Sequence, residues 1–586
     1  MKNRRFGGPA GKILTLLLIL AAAGVIYVVH DTNMIPTKYL ILGGVAAAIL
    51  IGMVGYLTWN FNHRGRFVIG LFLWFAILMV FAVAAMYVTR THTTISDIAT
   101  PDVEVSEMGL FVAQTSTATS AAETAGSTVG ILRDLDRNNT DAAIEKFSED
   151  MGSTPTTVEY DGLTELVDSL TSGETGAIIM NTAYLDVVRD LDGYAALDSM
   201  IRQVETKSVE TELQPAVTQP TVAYGGSSEG VVSTDSTEGG SQPAVAENVN
   251  KDVIVVYISG IDNRGGIVAK SRSDVNIVAV ANMKTKQMLL INTPRDFFVP
   301  LSISNGAPDK LTHAGIYGIN CSMDTLSMLY NVSIPYYIKV NFQGFIDIIN
   351  ALGGIDVYSD YEFDSKNELG WHYTQGMNHM DGEAALTYAR ERFSFADGDR
   401  QRGKNQMAVI EGIMAKASST ELLTNYTAIM KSLEGSFETN ISYDEIARIL
   451  QKQLDEPGAW NMVTYSVNGT GGTEKPYSLS TPAYVMIPDQ STVDTAKALI
   501  QDVINDMVLQ QVDEEITPLL SPEEADAVAA EANGLLTPTP DPAAPAAGGA
   551  AAPMATEGTV AAPVAPDASV AVPVAEPVAE VAVPAA

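Results

Sequence analysis

The densest group of side chains able to do chemistry runs from Tyr388 to Gln406, YARERFSFADGDRQRGKNQ, and holds Arg390, Arg392, Asp397, Asp399, Arg400, Arg402 and Lys404. The whole chain carries a formal net charge of −35, so a local concentration of cations asks for an anionic partner. In extended chain the spacing of two puts Arg390 and Arg392 on one face, where both guanidinium groups can grip one anion. After the Asp-Gly-Asp turn, the spacing of Met407, Ile410 and Met414, with Val409 and Ile413 beside them, predicts a helix from about Arg400 to Ala417. Arg402 and Gln406 are four apart on the N-terminal continuation of that apolar stripe, where an unpartnered charge is costly. A phosphate at the helix N-terminus, met by backbone N–H groups and arginine forks, would satisfy them. The competing reading is an internal Arg–Asp network that braces the fold, because Asp397, Asp399 and Glu391 stand close by.

Three further segments add charge at the ends of strands. Asp262, in GIDNRGG, falls just past a strongly apolar strand, where ligand sites of open α/β sheets gather. SRSD sets Arg272 and Asp274 at alternate positions near a strand start. If the fold brings the two carboxylates together they repel each other unless a cation lies between them. Hard oxygen ligands beside a phosphate favour Mg²⁺, with Mn²⁺ the alternative. For either Asp alone, a turn or cap is the commoner use. In NTPRDFFVP, Arg295 and Asp296 follow a strand and Pro294, in a loop. Three regions thus each offer Arg beside Asp at an element end, as a metal-assisted phosphate site requires.

The elements that must position these groups are legible in the same way. VIVVYIS (Val253 to Ser259) is a β-branched run suited to a strand covered on both faces. Ser273 to Ala281 and Gln287 to Ile291 read as further strands, and Phe342 to Leu352 as a helix ending on a left-handed cap at Gly353-Gly354. The mixture predicts an α/β/α sandwich over 250–515. Residues 91–206 alternate short apolar and helical segments, without Cys and with dispersed acids, and read as a smaller α/β accessory domain that binds a partner. Residues 207–249, rich in Ser, Thr, Gly, Pro and Glu, read as a flexible linker. From 516 to 586 the Ala/Pro/Val composition predicts a disordered tail.

At the N-terminus, Ile13 to Val29, Tyr39 to Leu57 and Phe67 to Val88 are each long enough to cross a hydrocarbon layer of ~30 Å as a helix. Three transmembrane helices within 1–90 are expected, rather than a cleaved signal peptide. Lys2, Arg4, Arg5 and Lys12 precede the first run, and Arg64 and Arg66 lie between the second and third. The N-terminus is therefore expected in the cytoplasm and the bulk of the chain outside a cell membrane that it crosses several times. The lone Cys321 cannot make an intramolecular disulfide, so the exported part must be stabilised by packing. Net acidity and this topology argue against a nucleic-acid partner.

SRSDVNIVA, NTPRD, KLTHAGIYG, the FxxxxxxLGGIDV stretch from Phe345 to Val357 and YARERFSFADGDRQRGKNQ together resemble, in order and spacing, the LytR-CpsA-Psr family across its full domain. The three spans and accessory domain further resemble its capsule-associated branch. The resemblance implies a phosphotransferase that moves a glycopolymer, such as capsular polysaccharide or teichoic acid, from polyprenyl pyrophosphate to peptidoglycan. Polyprenyl phosphate is released, and the carrier's chain lies in an apolar tunnel. It implies pyrophosphate contacts from Arg295, Arg390, Arg392, Arg402 and Gln406, and magnesium held by Asp262 and Asp274. Arg272 and Asp399 would be further catalytic groups of the site, with Asp399 as base, and the accessory domain a place for capsule or wall assembly proteins to dock. Thr312, where Asn is common, and the missing second Gly after Gly318 set the KLTHAGIYG loop apart from the family's usual form; Lys310 in that loop is a further candidate contact. Two other functions share these residues: a polyprenyl-phosphate-binding regulator without turnover, and a hydrolase of pyrophosphate lipids.

Overall fold

A computed structural model describes residues 8–59, 64–99, 103–191, 193–212, 252–261, 270–368, 370–417, 428–510 and 519–532. The chain opens with three helices, α1 (Gly8–Asp31), α2 (Thr37–Trp59) and α3 (Arg64–Ile98). All three are long and apolar enough to cross a membrane, and many of their large side chains face outward, as lipid-facing surface requires. The third extends ten residues past the apolar run that announced it, through THTTISDI, because nothing in that polar stretch breaks a helix.

The accessory domain is a five-stranded sheet of β1 (Val103–Ala113), β2 (Thr128–Leu132), β3 (Thr156–Tyr160), β4 (Ala177–Asn181) and β5 (Ile201–Glu212), in the order β3-β2-β4-β1-β5. Helix α4 (Arg137–Met151) covers one face with Ala143 and Phe147. Helix α5 (Leu163–Thr171) covers the other, and there Ile316 and Leu479 of the following domain join the same core. β5 pairs along the whole of β1, which carries the domain to Glu212, past the composition boundary at 206.

The second domain is the expected α/β/α sandwich. Its six strands are β6 (Val253–Ile261), β7 (Ser273–Asn282), β8 (Gln287–Asn292), β9 (Tyr336–Asn341), β10 (Phe437–Thr439) and β11 (Asn461–Ser466), in the order β10-β9-β6-β7-β8-β11. β6 and β7 are antiparallel neighbours, while β9 lies parallel to β6 and β11 parallel to β8. The unbroken apolar pattern of β6 is explained by two covered faces. Val255 and Tyr257 pack with Leu326 of helix α6 (Ile319–Tyr330) and Val493 of helix α11 (Gln490–Ile504); Ile254 and Val256 pack with Met407 of α9 (Gly398–Ala417) and Ile446 of α10 (Tyr443–Asp455). Helix α7 (Phe342–Ala351) begins on an Asn341 side-chain cap and ends at Gly353 and Gly354, with φ of 81° and 87°.

The sandwich touches the end of the helical bundle formed by the α1–α2 turn and the C-terminal part of α3. Tyr443 Oη donates to the Thr32 carbonyl at 2.7 Å, Lys38 Nζ lies 2.8 Å from Asp455, and Arg90 pairs with Glu434. The expectation of a structureless tail from 516 does not hold for helix α12 (Pro522–Ala532). Leu520 N–H donates to Ser394 O at 3.0 Å, and Asp526 pairs with Lys366 at 2.7 Å, so contacts with the sandwich order a stretch whose own composition does not. Residues 213–249 of the expected 207–249 linker, and residues 516–518 and 533–586 of the expected tail, lie outside the described residues.

Candidate functional site

Arg390 is the last residue of helix α8 (Gly382–Arg390). Glu391 follows in extended conformation, with φ −64° and ψ 129°. Its side chain is fully buried and, rather than pairing with either neighbouring arginine, accepts from Ser365 Oγ at 2.5 Å, Lys366 N at 2.9 Å, Asn367 N at 3.2 Å, Ser394 N at 3.1 Å and Ser394 Oγ at 3.2 Å. That corrects its expected place in an Arg–Asp network. Glu391 anchors two loops while Arg390 and Arg392 project into one cavity.

This cavity, of about 280 Å³, is lined by Arg295, Arg390, Arg392 and Arg402, with Gln406, Asn367, Phe342 and Phe393, against two carboxylates, Asp274 and Glu368. Four strand and helix ends meet there: the start of β7, the loop after β8, the end of α8 and the first turns of α9. Arg295 Nη1 donates to Asp274 Oδ1 at 2.9 Å, and its Nε is buried without a hydrogen-bond acceptor, 3.5 Å from Asp296. Arg402 lies 3.0 Å from Asp399, and Arg390 donates to Glu368 at 3.1 Å with its guanidinium carbon 4.7 Å from the Phe342 ring centre. Arg392 lies over the Phe393 ring and has no ion-pair partner among the described residues.

The electrostatics leave positive charge in excess. Burial opposes ionisation of Asp274, but Arg295, Arg272 and Arg402 outweigh it and hold the carboxyl below its ordinary range. Asp296 is also held below its ordinary range despite burial, by Arg295 and by Lys310, whose Nζ lies 3.1 Å away. Burial disfavours the charge of Arg392, and repulsion from Arg295 and Arg402 adds to it. An anion in the cavity would relieve that cost.

α9 can bring Arg402 and Gln406 this close only because residue 403 is glycine. A Cβ there would stand 1.9 Å from Nδ2 of Asn292, which is bonded to Ser466 across the end of the sheet. Gly403→Ala is therefore expected to push the first turn of α9 off the sheet, costing about 1–3 kcal/mol and weakening the binding of an anion such as inorganic pyrophosphate in the cavity. Thermal unfolding and titration calorimetry on the purified protein read both effects.

The arginine cavity adjoins an apolar one of about 250 Å³, lined among others by Ile258, Phe345, Ile348, Val409, Ile410 and Ile413. The two share Val275, Phe342, Arg390 and Gln406. Gln406 and Val409 to Ile413 follow one another on α9, so the predicted stripe runs from polar mouth to apolar interior.

The structure thus brings together Arg295, Arg390, Arg392, Arg402, Gln406 and Asp274. Asp399 stands behind Arg402 rather than on the cavity wall, and Lys310 likewise serves Asp296. Arg272 corrects its expected place: it is absent from the lining, and its guanidinium is held by Asp190 of the accessory domain. Asp262 lies outside the described residues. Glu368, Asn367, Phe342 and Phe393 were not foreseen; Glu368 is 22 residues before Arg390, and no spacing rule links a loop residue to a helix end so far along the chain. Among the described residues no group of three His, Cys, Asp or Glu side chains gathers to hold a metal. Magnesium usually takes one or two carboxylates plus phosphate oxygens, and the ionised Asp274 on the wall of the anion cavity fits as one such ligand.

These features define a membrane-anchored α/β/α protein with an arginine-lined cavity at the mouth of an apolar one. The chain belongs to the LytR-CpsA-Psr family: the model of the LytR_cpsA_psr family matches residues 221–499. It is 35% identical over 225 residues to the polyisoprenyl-teichoic acid–peptidoglycan teichoic acid transferase TagU of Enterococcus faecalis, covering 38% of this chain and 72% of that protein. TagU of Bacillus anthracis is 34% identical over 204 residues, 34% of this chain and 65% of that one, just under two thirds of its length. The crystal structure of Bacillus subtilis TagV aligns at 26% identity and a TM-score of 0.36, covering 44% of this chain and all of that one.

Proposed function

We propose that this protein is a phosphotransferase that attaches a polyprenyl-pyrophosphate-linked glycopolymer to peptidoglycan and releases polyprenyl phosphate. The observation that carries this reading is the junction of two cavities, an arginine-lined one sized for phosphates and an apolar one sized for a hydrocarbon chain, at Val275, Phe342, Arg390 and Gln406. The teichoic acid transferases similar to this chain support it. In the reaction an acceptor hydroxyl oxygen bonds to the sugar-linked phosphorus, and the bond from that phosphorus to the bridging oxygen breaks. Negative charge moves onto the leaving polyprenyl phosphate, where Arg295, Arg390, Arg392 and Arg402 meet it. Gln406 is the proposed neutral donor to a phosphate oxygen, and Asp399, which stands behind Arg402, is proposed to orient that guanidinium rather than to take the hydroxyl proton itself. Magnesium, with manganese as the alternative, is proposed at Asp274 and Asp262, where it would neutralise phosphate charge. Three spans with the sandwich against the α1–α2 turn favour an extracellular catalytic part with the N-terminus inside. The spans and accessory domain favour the capsule-associated branch, with capsular polysaccharide or teichoic acid as the polymer.

The purified full chain in detergent, given a polyprenyl-pyrophosphate oligosaccharide and peptidoglycan oligomers, should join sugar to peptidoglycan. Asp274→Ala and a chelator should each abolish the product. Lipid binding without joined product or free polyprenyl phosphate would replace the enzyme with a lipid-binding regulator, and polyprenyl phosphate without joined product would make it a hydrolase. Ile413→Trp, which fills the apolar cavity, should weaken binding of polyprenyl phosphate at least about tenfold, the loss of a few buried methylenes. Binding of inorganic pyrophosphate should be unchanged in the same calorimeter.

A further inference from the structure

The accessory domain grips the strand that carries Asp274. Lys270 N–H donates to Val105 O of β1 at 2.9 Å, extending that strand's pairing into the segment entering β7. Glu104, 6% exposed, lies 3.8 Å from Lys270 Nζ and accepts from Ile319 N at 2.8 Å, at the start of α6. Two residues further on, the guanidinium of Arg272 leaves the sandwich and pairs with Asp190, with Asp186 at 3.8 Å; both carboxylates sit on or just after the short helix Tyr184–Arg189. Asp186 is already bonded to Arg189 at 2.6 Å, so Asp190 is the carboxylate committed to Arg272. Both acids are about half exposed, which makes the pair weak enough to open.

We propose that Asp190 is the positioning residue for Arg272, holding this guanidinium at the domain interface beside the phosphate cavity rather than in it. The accessory domain then sets how many cations meet the pyrophosphate, and a partner that engages Asp190 would release a further arginine to the site. This rests on the anion cavity being a pyrophosphate site, but not on turnover. Arg272 stands two residues from Asp274, which lines the cavity, so its side chain reaches either the carboxylates of the accessory domain or a phosphate. The grip of Glu104 on Lys270 and α6, and the shared core around Ile316 and Leu479, keep the domains docked when Asp190 is changed.

Titration calorimetry of the full chain in detergent with inorganic pyrophosphate tests this. Asp190→Asn should bind pyrophosphate about fivefold tighter, the gain expected from one added cation at partly screened range. Asp190→Glu, which keeps the charge, should bind as wild type does. In an Arg272→Gln background the gain from Asp190→Asn should vanish. Unchanged or weaker binding in Asp190→Asn, or the same gain without Arg272, overturns the inference and leaves the cavity's reading intact. If the wild type binds no pyrophosphate, the reading of the cavity falls and the inference with it.

Discussion

Arg295→Ala should lower transfer to peptidoglycan by on the order of 10²–10³-fold, the usual loss when one preorganised donor to a developing negative charge is removed. Arg295 is the junction of the site: its Nη1 holds Asp274 at 2.9 Å, its Nε faces Asp296, and its charge helps keep both carboxyls ionised despite burial. Without it, Asp274 and Asp296 keep only Arg272, Arg402 and Lys310 against their burial. Arg295→Lys should recover little, because an ammonium cannot serve Asp274, Asp296 and a phosphate in three directions from one planar fork. Single-turnover rates with saturating lipid substrate separate this from weaker binding. A loss confined to KM, with kcat intact, would place Arg295 in ground-state binding and refute its role at the leaving phosphate.

Glu391→Ala should destabilise the sandwich by on the order of 3 kcal/mol or more, because several buried donors lose their acceptor at once. Ser365, Lys366 and Asn367 on one loop and Ser394 on the next all converge on this one carboxylate, which is wholly buried. The melting midpoint should fall by roughly 10 °C for a domain of this size. Arg390 and Arg392 flank it, and the Asn367 side chain donates to Arg390 O, so pyrophosphate binding should fail below the temperature at which the domain melts. Glu391→Gln keeps one acceptor oxygen and should lie between wild type and Glu391→Ala. If Glu391→Ala melts within a degree or two of wild type, the carboxylate is not the anchor of these loops.

Much was legible in the sequence because it depends on local chemistry. The apolar lengths of α1 to α3, the β-branched run of β6, the left-handed glycines after α7 and the apolar stripe of α9 are set by neighbours within a few residues. The concentration of Arg390, Arg392, Arg402 and Gln406 within one short stretch of an acidic chain is likewise visible in the sequence, and the fold gathers these four side chains on one cavity.

What only the tertiary structure decided is how charges are partitioned among partners distant in sequence. RERF offers Glu391 between two arginines, and local reading pairs them; the fold instead turns Glu391 to loops 365–367 and 394, where its burial is matched by hydrogen bonds, and leaves the arginines to an anion. SRSD offers Arg272 beside Asp274, yet the docking of a separate domain supplies Asp190 and draws that guanidinium away. Glu368, Phe342 and the shared wall of the two cavities come from elements brought together by the sheet order β10-β9-β6-β7-β8-β11, which no periodicity encodes. Side-chain type and short-range spacing determine which groups are available and which elements carry them. Coulomb attraction and desolvation act through space, so which charge meets which is settled only when the chain has folded.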